Sequence, residues 1–247
     1  MTKIGIIGGS GLDDPKLLNE IEEVDVNTKW GKPSSLLTLG KIDRTEVVIL
    51  ARHGKQHQYG PTQVNNRANI QALKDMGVTH IIATTACGSL RTEIARGDFV
   101  IIDQFIDFTR FRKNTYFDSF EDGMHHTPMA EPFNPELRNL LINTAQTLGF
   151  KVHNGGTVVT IEGPRFSTIA ESKMLRDWGA DIINMSTAPE AMLANEIALP
   201  YAAIAMSTDY DCWKADEEPV SWEEVLKVFH QNADNVKQII TNVVTQI

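Results

Sequence analysis

The chain has 247 residues, 42% of them hydrophobic, and a formal net charge of -9. This length and hydrophobic content allow one sizeable core, and because the composition does not change along the chain we expect a single domain over residues 1–247. The negative charge argues against nucleic acid or an anionic membrane surface as the main partner.

The sequence carries no pattern typical of export or membrane insertion. The amino terminus is already strand-like, and every apolar run falls short of the about 18 residues that a membrane span needs. Cys87 and Cys212 stand apart without a CxxC pair, which disfavours a disulfide framework or a structural zinc site. We therefore expect a cytoplasmic protein without a membrane span.

A strand predicted at residues 3–7 runs into the turn Gly8-Gly9-Ser10-Gly11. The backbone N–H groups of such a turn are uncovered, so they can approach a phosphate closely. A nicotinamide-cofactor fingerprint fits poorly, because Asp14 stands where the third glycine belongs. The turn is the first candidate for binding an anion.

A second candidate for anion binding follows strands predicted at residues 35–39 and 46–51. The later strand ends in Arg52-His53-Gly54. A guanidinium can hold a phosphate through two parallel hydrogen bonds, although a surface arginine beside a histidine at the edge of the core would give the same pattern. A zinc site at His53 and His57 is not expected, since Gly54 interrupts the helix that their spacing would need.

Small and hydroxyl-bearing residues follow the next strand. Apolar spacing predicts a helix over residues 65–76 and a strand over 79–83, which leads into the loop Thr84-Thr85-Ala86-Cys87-Gly88-Ser89. The hydroxyl and amide groups of this loop would add neutral donors to the same anion. A strand at 99–106 precedes the irregular segment 107–132, whose length favours a role at a site or an interface.

The second half of the chain continues the alternation of strands and helices. Capping residues predict helices at 134–148 and 168–178, an alanine-rich helix follows residues 186–190, and a last helix begins after Ser221. Strands are predicted at 157–161 and 181–185. This alternation predicts an α/β fold with a mixed or parallel sheet covered on both faces, and with ligands at the carboxyl ends of the strands.

The apolar stretch that begins at Ala202 ends in Asp209-Tyr210-Asp211. In extended backbone, residues i and i+2 share a face, so both carboxyl groups would meet one edge of a ligand. Two acids in a partly dry site tend to keep a proton between them, so that one donates while the other accepts. Adenine offers the matching edge, an acceptor at N7 and a donor at N6. Capping or surface acids in a loop are the alternative interpretation of the same spacing.

Six motifs are more specific together than any one of them alone. They are residues 6–12 (IIGGSGL), 51–54 (ARHG), 84–89 (TTACGS), 160–166 (TIEGPRF), 184–187 (NMST) and 208–213 (TDYDCW). Together they closely resemble the 5'-methylthioadenosine phosphorylases of the trimeric nucleoside phosphorylase family, and the likeness spans nearly the whole chain. The resemblance implies an α/β fold in which a mixed central β-sheet is flanked by helices.

The resemblance also implies an activity in purine and methionine salvage. It is the reversible phosphorolysis of S-methyl-5'-thioadenosine to adenine and 5-methylthioribose 1-phosphate, with inorganic phosphate as co-substrate and no metal or organic cofactor. A purine nucleoside or methylthioinosine phosphorylase is the first alternative, and it would prefer a 6-oxo base. A nucleosidase that uses water and a non-catalytic nucleotide-binding module are two further alternatives.

Matching positions imply which residues hold the phosphate. They are Ser10, Arg52, His53, Thr85, Ala86 and Ser186. Ser10 stands where relatives often have threonine, a change that keeps the hydroxyl group.

The same resemblance implies how the nucleoside is held. Phe166 would lie beside the base, Met185 would lie against the ribose, and Ser167 would also bind the substrate. As the catalytic pair, Asp209 would protonate or hydrogen-bond N7 of the leaving purine, and Asp211 would accept a hydrogen bond from N6.

Two further residues are implied at the 5' end of the substrate. His126 matches a histidine that in the family reaches across from a neighbouring subunit, so the resemblance implies a homotrimer with sites at the subunit interfaces. Trp222 stands where a smaller apolar side chain usually lines the methylthio pocket. It would either contact the substrate or pack in the first turn of the last helix.

Overall fold

The computed structural model describes residues 2–8, 18–216 and 221–247, without the side chains of Trp222, Glu224 and Gln231. Two residues expected at the site, Ser10 in the glycine turn and the side chain of Trp222, therefore lie outside the described residues.

The described residues form a mixed sheet with helices on both faces. The strands are β1 (Lys3–Gly8), β2 (Asn19–Val24), β3 (Leu37–Ile42), β4 (Thr45–Ala51), β5 (His80–Ser89), β6 (Phe99–Ile101), β7 (Gln104–Phe108), β8 (Val152–Asn154), β9 (Thr157–Ile161), β10 (Ile182–Asn184) and β11 (Tyr201–Asp209). The α-helices are α1 (Asn66–Asp75), α2 (Pro135–Thr147), α3 (Ile169–Asp177), α4 (Thr187–Glu196) and α5 (Trp222–Val244), and a short 3-10 helix covers Pro61–Gln63.

The centre of the sheet is parallel. Strand β1 pairs in parallel with β4 and β5, and β5 pairs in parallel with β11. Antiparallel pairs join β2 to β3, β3 to β4, β10 to β5 and β6 to β11. The predicted α/β fold with a mixed sheet flanked by helices is thus confirmed.

The two faces of the sheet carry separate hydrophobic clusters. Every residue of β11 is buried, as in a strand covered on both sides. Ala203 belongs to the cluster with α1 and α4, whereas Ile204 belongs to the cluster with α2 and α5. Successive side chains of a strand point to opposite faces, so one apolar run supplies both clusters.

Several predicted boundaries were wrong. The segment 84–89, predicted as a loop, continues β5, because its residues pair with β11 and then with β10. The strand predicted at 99–106 is split into β6, which pairs with β8 and β11, and β7, which pairs with β9. The helix predicted after residues 186–190 already begins at Thr187.

Strands β2 and β8 were not predicted. Five of the six residues of β2 are exposed, so it lacks the alternation that marks a half-buried strand. None of the helices among the described residues has the length and apolar character needed to cross a bilayer.

The burial of α5 predicts a large effect of truncating its apolar face. Ile239 on α5 is fully buried, whereas Ile21 on the edge strand β2 is 47% exposed. We expect Ile239→Ala to lower the free energy of unfolding by about 2–5 kcal/mol, because it removes buried atoms and leaves a cavity. Chemical denaturation measures this change. The matched control Ile21→Ala should change stability by less than about 0.5 kcal/mol, and equal losses in the two variants would contradict the packing described for α5.

Candidate active site

A cavity of about 470 Å³ opens where the central strands end. Its walls include residues at or just beyond the ends of β4, β9, β10 and β11, together with the carboxyl half of β5. Ligands of open α/β sheets bind at such carboxyl ends, because loops from neighbouring strands converge there. The last helix closes one side with Val225, Leu226 and Phe229.

Asp209 and Asp211 line this cavity together. They are only 7% and 5% exposed, so the alternative of surface or capping acids does not hold. The predicted reason for their proximity was nevertheless wrong. Strand β11 ends at Asp209 after a register shift, and Asp211 has a φ of 48°, so the two residues do not alternate along an extended strand.

A tight turn brings the two acids together instead. The backbone N–H of Asp211 donates a hydrogen bond of 2.7 Å to Oδ1 of Asp209. The left-handed conformation of Asp211 is one that aspartate tolerates better than most residues. Gly88 makes room for the turn, since a Cβ atom there would lie 2.9 Å from Oδ1 of Asp209 and 3.3 Å from Cβ of Asp211.

Burial alters the acidity of both groups. Burial raises the pKa of Asp209 above its ordinary value, and hydrogen bonds from Thr208 and from the backbone of Asp211 only partly oppose this. The negative charge of Asp211 adds to the rise in the pKa of Asp209. Burial likewise raises the pKa of Asp211. A pair with these properties retains a proton more readily than two acids in water, as a donor to a ligand requires.

Arg52 also lines the cavity and is 3% exposed. Its Nε and Nη2 atoms donate to Oε1 and Oε2 of Glu190 over 2.5 and 3.1 Å, and its Nη1 donates to the carbonyl of Thr84 over 2.8 Å. Burial alone would lower the pKa of Arg52, but the attraction of Glu190 raises it above its ordinary value. The guanidinium predicted to grip an anion is therefore charged, and one of its edges is already occupied.

His53 is a neutral member of the site. Its Nδ1 lies 2.8 Å from the carbonyl oxygen of Tyr59, so Nδ1 carries the proton and donates, while Nε2 keeps a lone pair. Burial, followed by the charge of Arg52, lowers the pKa of His53 to about 4. The ring stacks on His57 with centroids 4.7 Å apart, and both rings line the cavity.

Neutral donors complete this end of the cavity. Thr85, Ala86 and Ser186 all line it, and the hydroxyl oxygens of Thr85 and Ser186 lie 3.3 Å apart. Ser186 is the N-cap residue of α4, yet its hydroxyl caps no backbone N–H group. The first turn of the helix adds little, because the N–H of Ala188 donates to the hydroxyl of Thr160 over 3.0 Å and Pro189 has no N–H. The hydroxyl of Ser186 therefore suits an anion in the cavity.

The remaining predicted residues divide into two groups. Phe166, Ser167 and Met185 line the cavity beside the acids. His126 is exposed on the segment between β7 and α2, contacts the ring of Phe120 and does not line the cavity of its own chain. Its predicted role across a subunit interface stays a prediction.

Sequence reasoning missed Glu190, the buried partner of Arg52. One signal could have found it, since it is an acid within a run of small and apolar residues between Thr187 and Ala194. Charged side chains are almost never fully buried without a partner, so such an acid predicts a cation nearby. Among the described residues, no group of three or more His, Cys, Asp or Glu is placed to hold a metal ion.

Residues 3–245 match the family model of the phosphorylase superfamily. The chain belongs to the phosphorylase superfamily. Within this superfamily it is 56% identical over 249 residues to the S-methyl-5'-thioadenosine phosphorylase of Xenopus tropicalis, an alignment that covers 99% of this chain and 89% of the relative. The enzyme of the same name from Danio rerio is 56% identical over 248 residues, with the same coverage.

Solved structures of the phosphorylase superfamily show the same architecture. Methylthioadenosine phosphorylase from Schistosoma mansoni in complex with adenine has a TM-score of 0.94 and 44% identity, covering 100% of this chain and 92% of that one. A mutant of the adenosine/methylthioadenosine phosphorylase from the same organism, in complex with methylthioadenosine, has a TM-score of 0.93 and 43% identity, with 100% and 91% covered. The family resemblance seen in the motifs is confirmed.

The geometry of His53 predicts an unusual titration for this superfamily member. We expect its ring to titrate near pH 4 in NMR spectra, with the resonance assigned by its loss in His53→Gln. Because the unfolded ring would bind a proton below about pH 6.5 and the folded ring would not, His53 should reduce stability as the pH falls from about 6.5 towards 4. A midpoint between pH 6 and 7 would contradict the assigned tautomer and burial.

Proposed function

We propose that this chain catalyses the reversible phosphorolysis of S-methyl-5'-thioadenosine to adenine and 5-methylthioribose 1-phosphate. One observation carries the proposal: a buried acid pair and a set of anion donors line a single cavity. The relatives with this name support the choice of substrate, since they match nearly the whole chain at 56% identity.

Phosphate binds at the end of the cavity that Arg52 lines. The donors available there are the hydroxyl of Ser186 and the two N–H groups of Arg52 that no acceptor among the described residues takes. The hydroxyl of Thr85 donates to the carbonyl of Ala86 over 2.9 Å, so it joins them by turning towards the phosphate. His53 accepts the hydrogen bond of a protonated phosphate oxygen at Nε2. A protein with a net charge of -9 thus holds its anion by local donors.

The purine occupies the opposite end of the cavity. As a phosphate oxygen forms its bond to C1' of the ribose, the bond from C1' to N9 breaks and the purine gains negative charge. Asp209 gives its proton to N7, so adenine leaves as a neutral base, and Asp211 accepts a hydrogen bond from N6. Catalysis then consists of positioning the nucleophile and neutralising the leaving group.

The acid pair also determines which base is favoured. A 6-oxopurine would place its O6 acceptor against the carboxylate of Asp211, where neither group has a proton to share. The apolar wall formed by Val225, Leu226 and Phe229 suits a methylthio group at the 5' end. Inorganic phosphate serves as the co-substrate, and the reaction calls for no metal or organic cofactor.

The active assembly is a homotrimer in the cytoplasm. Beside the cavity, a smaller depression of about 200 Å³ shares Ile161 and Ser167 with it and is lined by Phe111, which is 74% exposed. Ile169 and Trp178 on the adjacent α3 region are 58% and 56% exposed. Exposed apolar groups clustered in this way favour an interface between subunits, from which His126 of the partner subunit completes the site. Two free thiols, Cys87 and Cys212, are typical of a protein kept in the reducing cytoplasm.

A substrate panel tests the reaction. Methylthioadenosine, adenosine and methylthioinosine are each incubated with and without phosphate, and base release is followed spectroscopically. We expect phosphate-dependent release of adenine, with methylthioadenosine as the best substrate. In Asp209→Ala the rate should fall by about 10²–10³-fold, because the leaving base loses its proton donor. The control Asp234→Ala alters a carboxylate that is 84% exposed and should retain full activity.

The same panel separates the alternatives. Asp211→Asn should reduce the preference for a 6-amino over a 6-oxo base by about tenfold or more. Equal adenine release without phosphate would identify a nucleosidase, and no turnover of any nucleoside would leave a binding module. Either result would refute the proposed reaction.

The oligomeric state is tested by light scattering. We expect a trimer for the natural chain, and dissociation in Ile169→Glu because a charge enters the apolar interface. His126→Ala should stay trimeric, with a KM for methylthioadenosine raised about tenfold and an unchanged KM for phosphate. A fully active monomer would refute the shared site.

A further inference from the structure

Glu190 is fully buried in the first turn of α4, at a point where three elements of the fold meet. Its two carboxylate oxygens receive Nε and Nη2 of Arg52, which follows β4, over 2.5 and 3.1 Å. The hydroxyl of Tyr201, the first residue of β11, donates to Oε2 over 2.8 Å. The reaction outlined above makes no direct use of this carboxylate.

The atoms involved decide what Arg52 can still do. A guanidinium has five N–H groups, and Nε together with Nη2 forms its side edge. Glu190 occupies that edge and the carbonyl of Thr84 takes one N–H of Nη1, so three of the five are used. Within the described part of the chain, one N–H on each terminal nitrogen has no protein acceptor, and these are the groups available to an anion in the cavity that Arg52 lines.

Tyr201 fixes the carboxylate in turn. Burial, followed by the charge of Glu190, raises the pKa of Tyr201 well above its ordinary value, so the phenol stays protonated and donates. Glu190 therefore accepts three hydrogen bonds from two side chains that enter from different strands. Such a network holds the plane of the guanidinium in one orientation before any anion arrives.

We propose that Glu190 is a positioning residue for phosphate: through its two-point pairing with Arg52, supported by Tyr201, it aims the remaining guanidinium N–H groups at the phosphate. This inference rests on the proposed function, because it takes phosphate to be the anion bound at Arg52. It adds that the side edge of Arg52 pairs with Glu190 within the protein, whereas its other N–H groups bind the phosphate.

Glu190→Gln tests the inference, because glutamine keeps the shape but presents one acceptor and an N–H₂ group to three donors. We expect the KM for phosphate to rise by about 10–100-fold, the scale of a lost charge-assisted hydrogen bond. The affinity for adenine, measured by calorimetry without phosphate, should stay within about twofold of the natural chain, since Glu190 does not touch the acid pair. A general structural defect would weaken the binding of both phosphate and adenine.

The matched control is Glu196→Gln. Glu196 lies on the same helix and accepts hydrogen bonds of 2.6 Å from the hydroxyl of Thr115 and the backbone N–H of Tyr116, but it does not line the cavity. We expect its KM for phosphate to be unchanged. A rise equal to that of Glu190→Gln would overturn the inference, because any hydrogen-bonded acid of α4 would then have the same effect.

Tyr201→Phe keeps the inference testable if Glu190→Gln fails to fold. It removes one donor to Glu190 and leaves the ion pair, so we expect a smaller rise, about 2–5-fold, in the KM for phosphate and no change in adenine affinity. An unchanged KM for phosphate in the folded variants would overturn the role of Glu190 while the natural chain remained phosphate-dependent. Loss of phosphate dependence in the natural chain itself would instead refute the proposed function.

Discussion

The parallel pairing of β5 with β11 is the interaction on which the site depends. Ala205 and Met206 lie in register with Thr85 and Ala86, so the anion donors and the strand that carries the acids are built from one ladder. The register shift before Asp209 ends this ladder at Gly88. After this irregularity a tight turn places Asp211 beside Asp209, and both carboxyl groups line the cavity.

In the proposed reaction, the cavity stabilises the negative charges of phosphate and of the leaving purine without a surplus of cationic side chains. Arg52 is neutralised by Glu190, and His53 is uncharged at neutral pH because burial lowers its pKa to about 4. In the proposed reaction, phosphate is therefore met largely by hydrogen-bond donors of fixed direction, which act strongly in a site shielded from water. The same burial raises the pKa of Asp209 and Asp211, so the acids proposed to serve the leaving base retain a proton more readily.

Removal from water thus lowers the pKa of His53 and raises the pKa values of the two acids. It favours the neutral form of a histidine that is proposed to accept a hydrogen bond and the protonated form of an acid that is proposed to donate one. The apolar side chains of Val225, Leu226 and Phe229 contribute to this condition, because they cover one side of the cavity with α5. The packing of that helix against β11 and α2 is therefore part of the chemistry as well as of the core.

The local sequence was sufficient to predict the elements that have clear capping residues or a continuous apolar run. Asn134 and Thr168 accept the predicted capping hydrogen bonds at the starts of α2 and α3, and the fully buried β11 follows from its continuous apolar run. The motifs also indicated the family and most of the residues that line the cavity. These features depend on residues that are close together in the chain, so a short stretch of sequence is enough to predict them.

Only the tertiary structure decided how the site residues are held. The extension of β5 through Ser89, the turn that joins Asp209 to Asp211, and the pairing of Arg52 with Glu190 across 138 positions were not visible in any local pattern. Each depends on which groups compete for the same buried space and the same hydrogen bonds. The outcome depends on contacts between strands and helices that are distant in the chain, so the spacing of residues along the sequence does not predict it.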